Sequence, residues 1–117
     1  MENSKKTSLG LEENVEALLS YLLGWITGIV FLLIEKDNEF VKFHAMQSTI
    51  TFIGFTVINI ILAVLSRIPS IGIIFGLINW AIGIIAIITW IVCMVKAYQG
   101  EKYKLPIVGD LAESYTK

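Results

Sequence analysis

Three stretches of this chain carry no acidic or basic side chain: Ala17–Ile34, Ala45–Leu65 and the segment between Arg67 and Lys96. At 1.5 Å per helical residue, the shortest of them, with about 18 residues, covers roughly 27 Å, close to the thickness of a hydrocarbon core. Composition agrees: 56% of residues are hydrophobic and 16% charged, against about 45–50% and about 25% in soluble domains. A water-facing globule cannot be built from these residues. The pattern predicts an all-α integral membrane protein, with three transmembrane helices in a small bundle and a short structured C-terminal segment.

The expected plan is a flexible tail over residues 1–11, one membrane domain over 12–113 and a second tail over 114–117. Within the domain, helices are expected at about 12–34, 39–66 and 71–98, followed by a segment at 99–113. Glu12, Glu13 and Glu16 suit the positive end of a helix dipole. That acidic approach and the length of the first run favour a retained helix over a cleaved signal. Ser20, Gly24 and Gly28 recur every four residues, as do Gly72 and Gly76, with Gly83 on the same stripe. Small residues at that spacing let another helix approach closely. The third helix, with its small stripe, is the expected centre of packing, and Ile84, Ile85 and Ile88 its lipid-facing back. Ser66-Arg67-Ile68-Pro69-Ser70 is a short connector, so the second and third helices pair antiparallel.

The second helix opens on unusual chemistry. His44, Gln47, Ser48 and Thr51 fall at i, i+3, i+4 and i+7, with Asn59 two turns further on roughly the same side. Polar side chains at membrane depth face protein or water rather than lipid. The stripe therefore either makes interhelical hydrogen bonds or, with Asn79 of the third helix, lines a hydrated path. Phe40 and Phe43 flank the histidine. Tyr98 and Tyr103 with nearby lysines form an interfacial belt. Leu105-Pro106-Ile107-Val108-Gly109-Asp110-Leu111 is apolar enough to lie on the membrane or dock on the bundle, with Asp110 expected to cap a terminal helical turn.

Three spans place the first connector and the C-terminal segment on one side, with Lys36, Lys42, Lys96, Lys102, Lys104 and Lys117; Lys5, Lys6 and Arg67 fall on the other. Basic residues favour the cytoplasm, so the expectation is a multi-pass cell-membrane protein with its N-terminus outside and its C-terminus inside. The same count brings the His44 block and the C-terminal block to one face.

Those two blocks, Phe40-Val41-Lys42-Phe43-His44-Ala45-Met46-Gln47-Ser48 and Lys96-Ala97-Tyr98-Gln99-Gly100-Glu101-Lys102-Tyr103-Lys104-Leu105-Pro106-Ile107-Val108-Gly109-Asp110, resemble the Tic20-like family. These are small prokaryotic membrane proteins related to a subunit of the chloroplast inner-envelope import translocon. The resemblance covers about residues 12–113. It implies an all-helical membrane domain and, for the chloroplast relative, a role in a protein-conducting channel, although that relative is drawn with four spans.

The remaining chemistry is sparse. Net charge is −1, with no basic face for nucleic acid. The single cysteine, Cys93, excludes an intrachain disulfide or a multi-cysteine metal site. His44 near Glu35, Asp37 and Glu39 lacks a recognised ligand spacing and reads as an interfacial hydrogen-bonding residue. Val108-Gly109-Asp110 resembles part of a membrane aspartyl-protease signature, but the only other aspartate, Asp37, sits in a connector. No phosphate loop, serine-hydrolase elbow or zinc-peptidase motif is present. The sequence therefore predicts no cofactor, no metal and no catalytic residue. Its first functional reading is a non-catalytic component of a membrane assembly, translocation- or transport-related by resemblance, partnered by the bilayer and by copies of itself or other membrane proteins. The alternatives are an oligomeric channel or small-solute transporter subunit, then a membrane enzyme.

Overall fold

The computed structural model describes Thr7 and residues 9–116, and every described element is helical. In chain order these are α1 (Glu13–Leu22), α2 (Trp25–Ile34), α3 (Glu39–Leu65), α4 (Gly72–Tyr98) and α5 (Val108–Thr116). The molecule is elongated, 56 × 22 × 22 Å. Its long axis is that of α3 and α4, each of 27 residues and so about 40 Å long.

Both long helices begin and end where their sequence signals stand. Asn38 caps α3, its side chain accepting the Val41 amide at 3.0 Å, as an N-cap asparagine does. The Ser66–Ile71 turn joins α3 to α4, and Gly72 passes so close to Ser66 that an added Cβ would lie 2.2 Å from the Ser66 carbonyl oxygen. Only glycine permits that turn. Gly76 also faces Ser66, whereas Gly83 has open space around it.

The single helix expected over 12–34 does not form. It breaks at Leu23–Gly24, and α2 runs back alongside α1. Gly24 takes φ +64°, a conformation glycine adopts without steric cost. Thr27 closes the turn: its hydroxyl accepts the Leu23 amide at 3.1 Å and donates to the Ser20 carbonyl at 3.1 Å. The contacts with α3 trace the reversal. Asn38 Nδ2 donates to Glu13 Oε2 at 3.2 Å at the head of α3, the Gly24 turn rests on Phe52 at its midpoint, and Gly28 lies against Ala45 and Thr49 on the way back. The next residue after α2, Glu35, is buried within reach of Glu16.

Two described helices, α3 and α4, are long and apolar enough to cross a membrane, with mean hydropathy 2.2 and 2.3; α2 is apolar but short. The start of α1, the 35–38 connector, the end of α4 and α5 all gather at one end of the molecule, here the terminal end. The opposite half consists of α3 and α4 alone.

Packing follows from that geometry. The central element is α3, not α4 as the small stripe suggested, because α3 packs against α1, α2, α4 and α5. Within α4 only Gly72, Cys93 and Ala97 are buried, since the hairpin does not reach its first half. Ile84, Ile85 and Ile88 are exposed. Ala17, Tyr21, Cys93 and Ala97 form the buried core, with Phe40, Phe52, Trp90, Met94 and Leu105 around them.

Most of the expected 1–11 tail lies outside the described residues. Its described part is a turn in which the Thr7 amide donates to the Leu11 carbonyl at 2.8 Å. The second tail, expected over 114–117, is helical as far as Thr116, and Lys117 lies outside the described residues. Asp110 does not cap α5; it sits in the first turn and pairs with Lys104 at 3.6 Å.

Candidate functional site

The polar stripe of α3 meets the hairpin on one side and the C-terminal strap, residues 99–107, on the other. His44, Gln47 and Ser48 are fully buried. The His44 ring is enclosed edge-on by Phe40, Phe43 and Tyr21, with centroids 4.7, 5.2 and 5.5 Å away. Its Nε2 lies 2.9 Å from the Glu101 carbonyl oxygen and its Nδ1 2.7 Å from the Tyr21 hydroxyl. A carbonyl only accepts, so Nε2 carries the proton and Nδ1 accepts from Tyr21. This fixes the rest of the network. With its proton given to His44, the Tyr21 oxygen accepts from Gln47 Nε2 at 2.8 Å.

Gln47 uses its whole amide. Nε2 also donates to the Tyr103 carbonyl at 2.9 Å, and Oε1 accepts the Leu105 amide at 2.9 Å. One side chain thus holds one edge of the strap at Tyr103 and Leu105, in the manner of a neighbouring β-strand. Ser48 donates to the Gly24 carbonyl at 2.9 Å and anchors the hairpin turn. The Thr51 hydroxyl, next on the stripe, has no hydrogen-bond partner among the described residues. Asn59 belongs elsewhere: it donates to Asn79 Oδ1 at 3.0 Å in the far half.

Several members of the site were not evident in the sequence. Tyr21 is its hub. Trp90 Nε1 donates to the Tyr21 carbonyl at 2.7 Å, and Asn14 Nδ2 to the Tyr98 carbonyl at 2.9 Å, so α1 is stitched to α4 at two levels. A buried tyrosine or tryptophan needs a partner for its polar tip; a tyrosine inside an 18-residue apolar run was the available signal. Glu16 is fully buried and Glu35 nearly so. Burial first, and then the adjacent Glu35 carboxyl, push Glu16 up from its ordinary 4.5 to about 7, opposed by a hydrogen bond from Thr7.

The strap continues outward into charge. Lys102 Nζ sits 5.0 Å above the Phe43 ring and 3.1 Å from Glu113, and Lys104 pairs with Glu113 at 2.8 Å. Hydrogen bonds from these two lysines hold the half-buried Glu113 carboxyl down at about 2. Pro106 and Ile107 turn the chain into α5, and Gly109 passes so close to Lys104 that a Cβ there would meet the Lys104 Cβ at 2.4 Å. Beside the strap an open cavity of about 440 Å³ is lined by Glu13, Asp37, Asn38, Glu39, Phe40 and Lys102. Among the described residues no three His, Cys, Asp or Glu side chains are grouped to hold a metal ion.

Chemically, the arrangement is a closed network. Both His44 nitrogens and all of the Gln47 amide contacts are spent inside the chain, on side chains and on the backbone of the strap. It holds three segments together.

Similar proteins agree on class. UPF0132 membrane protein MJ1443 of Methanocaldococcus jannaschii is 56% identical over 112 residues, covering 96% of both chains. A UPF0132 membrane protein of Archaeoglobus fulgidus is 59% identical over 103 residues, 88% of this chain and 94% of the relative. A second Methanocaldococcus jannaschii protein, MJ1527, is 50% identical over 108 residues, 92% and 73% of the two chains. No solved structure matches. The chain is a membrane protein, as these names and its two long apolar helices show. The resemblance to Tic20-like proteins is overturned, because the family model and these relatives point elsewhere. The two blocks that suggested it are the halves of one packing contact, α3 against the strap, and that contact does not identify a translocon. The model of the magnetosome magnetite crystal formation (MamF/MmsF) family matches residues 12–112, and the chain belongs to that family.

Proposed function

We propose that this is a non-catalytic structural protein of its membrane, acting as a component of a membrane assembly. The observation that carries the reading is the closed network. The groups that would bind or transform a substrate, His44, Gln47 and Tyr21, are buried and matched donor to acceptor within the chain. The family is named for magnetosome magnetite crystal formation, and a membrane-resident assembly role is compatible with that name.

In this reading α3 and α4 cross the bilayer, while α1 and α2 enter one leaflet and return. Ten residues of helix are about 15 Å long, half of a 30 Å core. Leu22, Leu23 and Ile26 at the hairpin tip are exposed and suit acyl chains. Among described residues, Lys36, Lys42, Lys96, Lys102 and Lys104 lie at the terminal end and Arg67 alone at the other. The positive-inside bias then places both termini in the cytoplasm, replacing the split arrangement expected from three spans. The open glycine faces at Gly54 and Gly83 would admit a helix of a second copy or of another membrane protein.

In-cell photo-crosslinking from Gly83 and Asp37 tests the assembly role. Adducts with this chain or another membrane protein are expected. Lipid adducts alone, with a strictly monomeric protein in bilayers, would overturn it, as would lipid or peptide turnover that depends on His44.

A further inference from the structure

The two ends of the molecule differ in cross-section. At the terminal end four helices lie side by side; beyond the Leu23–Gly24 turn only α3 and α4 continue. Beneath the turn a gap of about 340 Å³ opens between Leu23, Phe52, Phe55, Asn59, Gly83 and Ala86. Side chains of the bare half are large and apolar and point outward: Ile73, Leu77 and Trp80 are 72%, 62% and 70% exposed.

The hydrogen bonds of that half lie within the α3–α4 pair. Asn59 donates to Asn79, and Thr56 and Ser66 donate to carbonyls of their own helices. The surface beneath the hairpin is therefore suited to lipid chains. With a helix diameter of about 10–12 Å, two extra helices occupy about 200 Å² more of one leaflet than of the other.

We infer that the protein is a wedge that partitions into curved membrane, with its terminal face on the convex side. The inference rests on the half-depth placement of the hairpin proposed above. A body that expands one leaflet only is best accommodated where that leaflet is already stretched, and insertion confined to one leaflet is curvature-sensitive for the same reason. Side-by-side association of copies through Gly83 leaves the asymmetry intact. A copy inserted in the opposite orientation, or a partner helix confined to the bare half, would cancel it.

Reconstituted vesicles supply their own control, because the chain inserts both ways round. The full-length protein, carrying a C-terminal tag, is reconstituted into phosphatidylcholine/phosphatidylglycerol vesicles, which are sorted by size. Protease protection then gives the fraction of tags outside. The expected result is a several-fold bias toward outward-facing tags in the smallest vesicles, fading as diameter grows. In parallel, a fluorophore on Leu23→Cys in a Cys93→Ala background reports depth by quenching from lipids brominated along the acyl chain; Leu23 is 62% exposed, so the label disturbs no packing. A midplane label with an orientation ratio independent of size, or biased inward, overturns the wedge and leaves the hairpin placement standing. A label at headgroup depth overturns the placement and the wedge with it. Crosslinked pairs of opposite orientation through Gly83 would also overturn the wedge.

Discussion

Replacing Gln47 by leucine removes the clamp on the C-terminal strap while keeping the side chain's bulk. Three hydrogen bonds go: to Tyr21 Oη, to the Tyr103 carbonyl and from the Leu105 amide. Two of these tie the strap, and at about 1 kcal/mol net for each its closure loses about 2 kcal/mol; the Tyr21 bond joins α3 to α1 and does not change on strap opening. If the strap stays in place, the unmatched Leu105 amide and Tyr103 carbonyl add further cost. Release into water relieves that cost, because residues 101–104 already border solvent. The equilibrium for strap opening should therefore rise about 30-fold, at 1.4 kcal/mol per factor of ten. Trypsin reads this directly at Lys102 and Lys104, since cleavage follows the open population when closing is fast. In vesicles with the terminal face outward, Gln47→Leu should be cut about 30-fold faster than the parent chain, and Thr56→Ala, whose hydroxyl bonds only its own helix, at the parental rate. Equal cleavage of the Gln47→Leu and parent chains would refute the clamp.

The glycines separate in the same quantitative way. A Cβ at Gly28 would stand 2.9 Å from the Ala45 carbonyl and 3.0 Å from the Thr49 amide, so Gly28→Leu should lower stability by about 3 kcal/mol or more, whereas Gly83→Leu, in open space, should change it by less than about 0.5 kcal/mol; thermal unfolding in detergent compares them. Glu16 predicts a pH dependence: its folded-state value is raised, so the stabilisation it provides is complete below pH 4.5 and is lost as pH rises through about 7. Thermal midpoints should therefore fall between about pH 5 and 8, and Glu16→Gln should flatten that slope; an unchanged slope contradicts the buried carboxyl pair.

Much of the architecture was written in local signals. The limits of α3 and α4 follow from Asn38, Glu39, Ser66 and Pro69, and from uninterrupted apolar length. The meeting of the Phe40–Ser48 block with the strap was also legible, since the count of crossings between them is even. The reversal at Gly24 was not. Leu22-Leu23-Gly24-Trp25 is apolar throughout, and hydropathy records depth in lipid but not direction of travel. An 18-residue run reads equally as one crossing or as two half-depth helices. What distinguishes them is polar chemistry: Thr27 bonded across the turn, Ser48 reaching the Gly24 carbonyl, and Glu16 beside Glu35. In a straight helix Glu16 and Glu35 would be separated by roughly 28 Å. The spacing of Gly24 and Gly28 suggested close packing, and close packing is what they provide, but Gly24 also supplies the turn. For the site, the stripe on α3 was visible, whereas its partners on α1, Asn14 and Tyr21, could be identified only once the hairpin was known.

The reversal is the claim on which the site, the topology and the wedge all depend. Its most direct measurement is side-specific thiol labelling of single cysteines at Leu9, Asp37, Arg67 and Tyr115 in a Cys93→Ala background, with a membrane-impermeant reagent in cells. The hairpin predicts that Leu9, Asp37 and Tyr115 label from the same side, the cytoplasm, and Arg67 from the other. Labelling of Leu9 from the side opposite Asp37 would mean that the first apolar run crosses the bilayer, and would contradict the account.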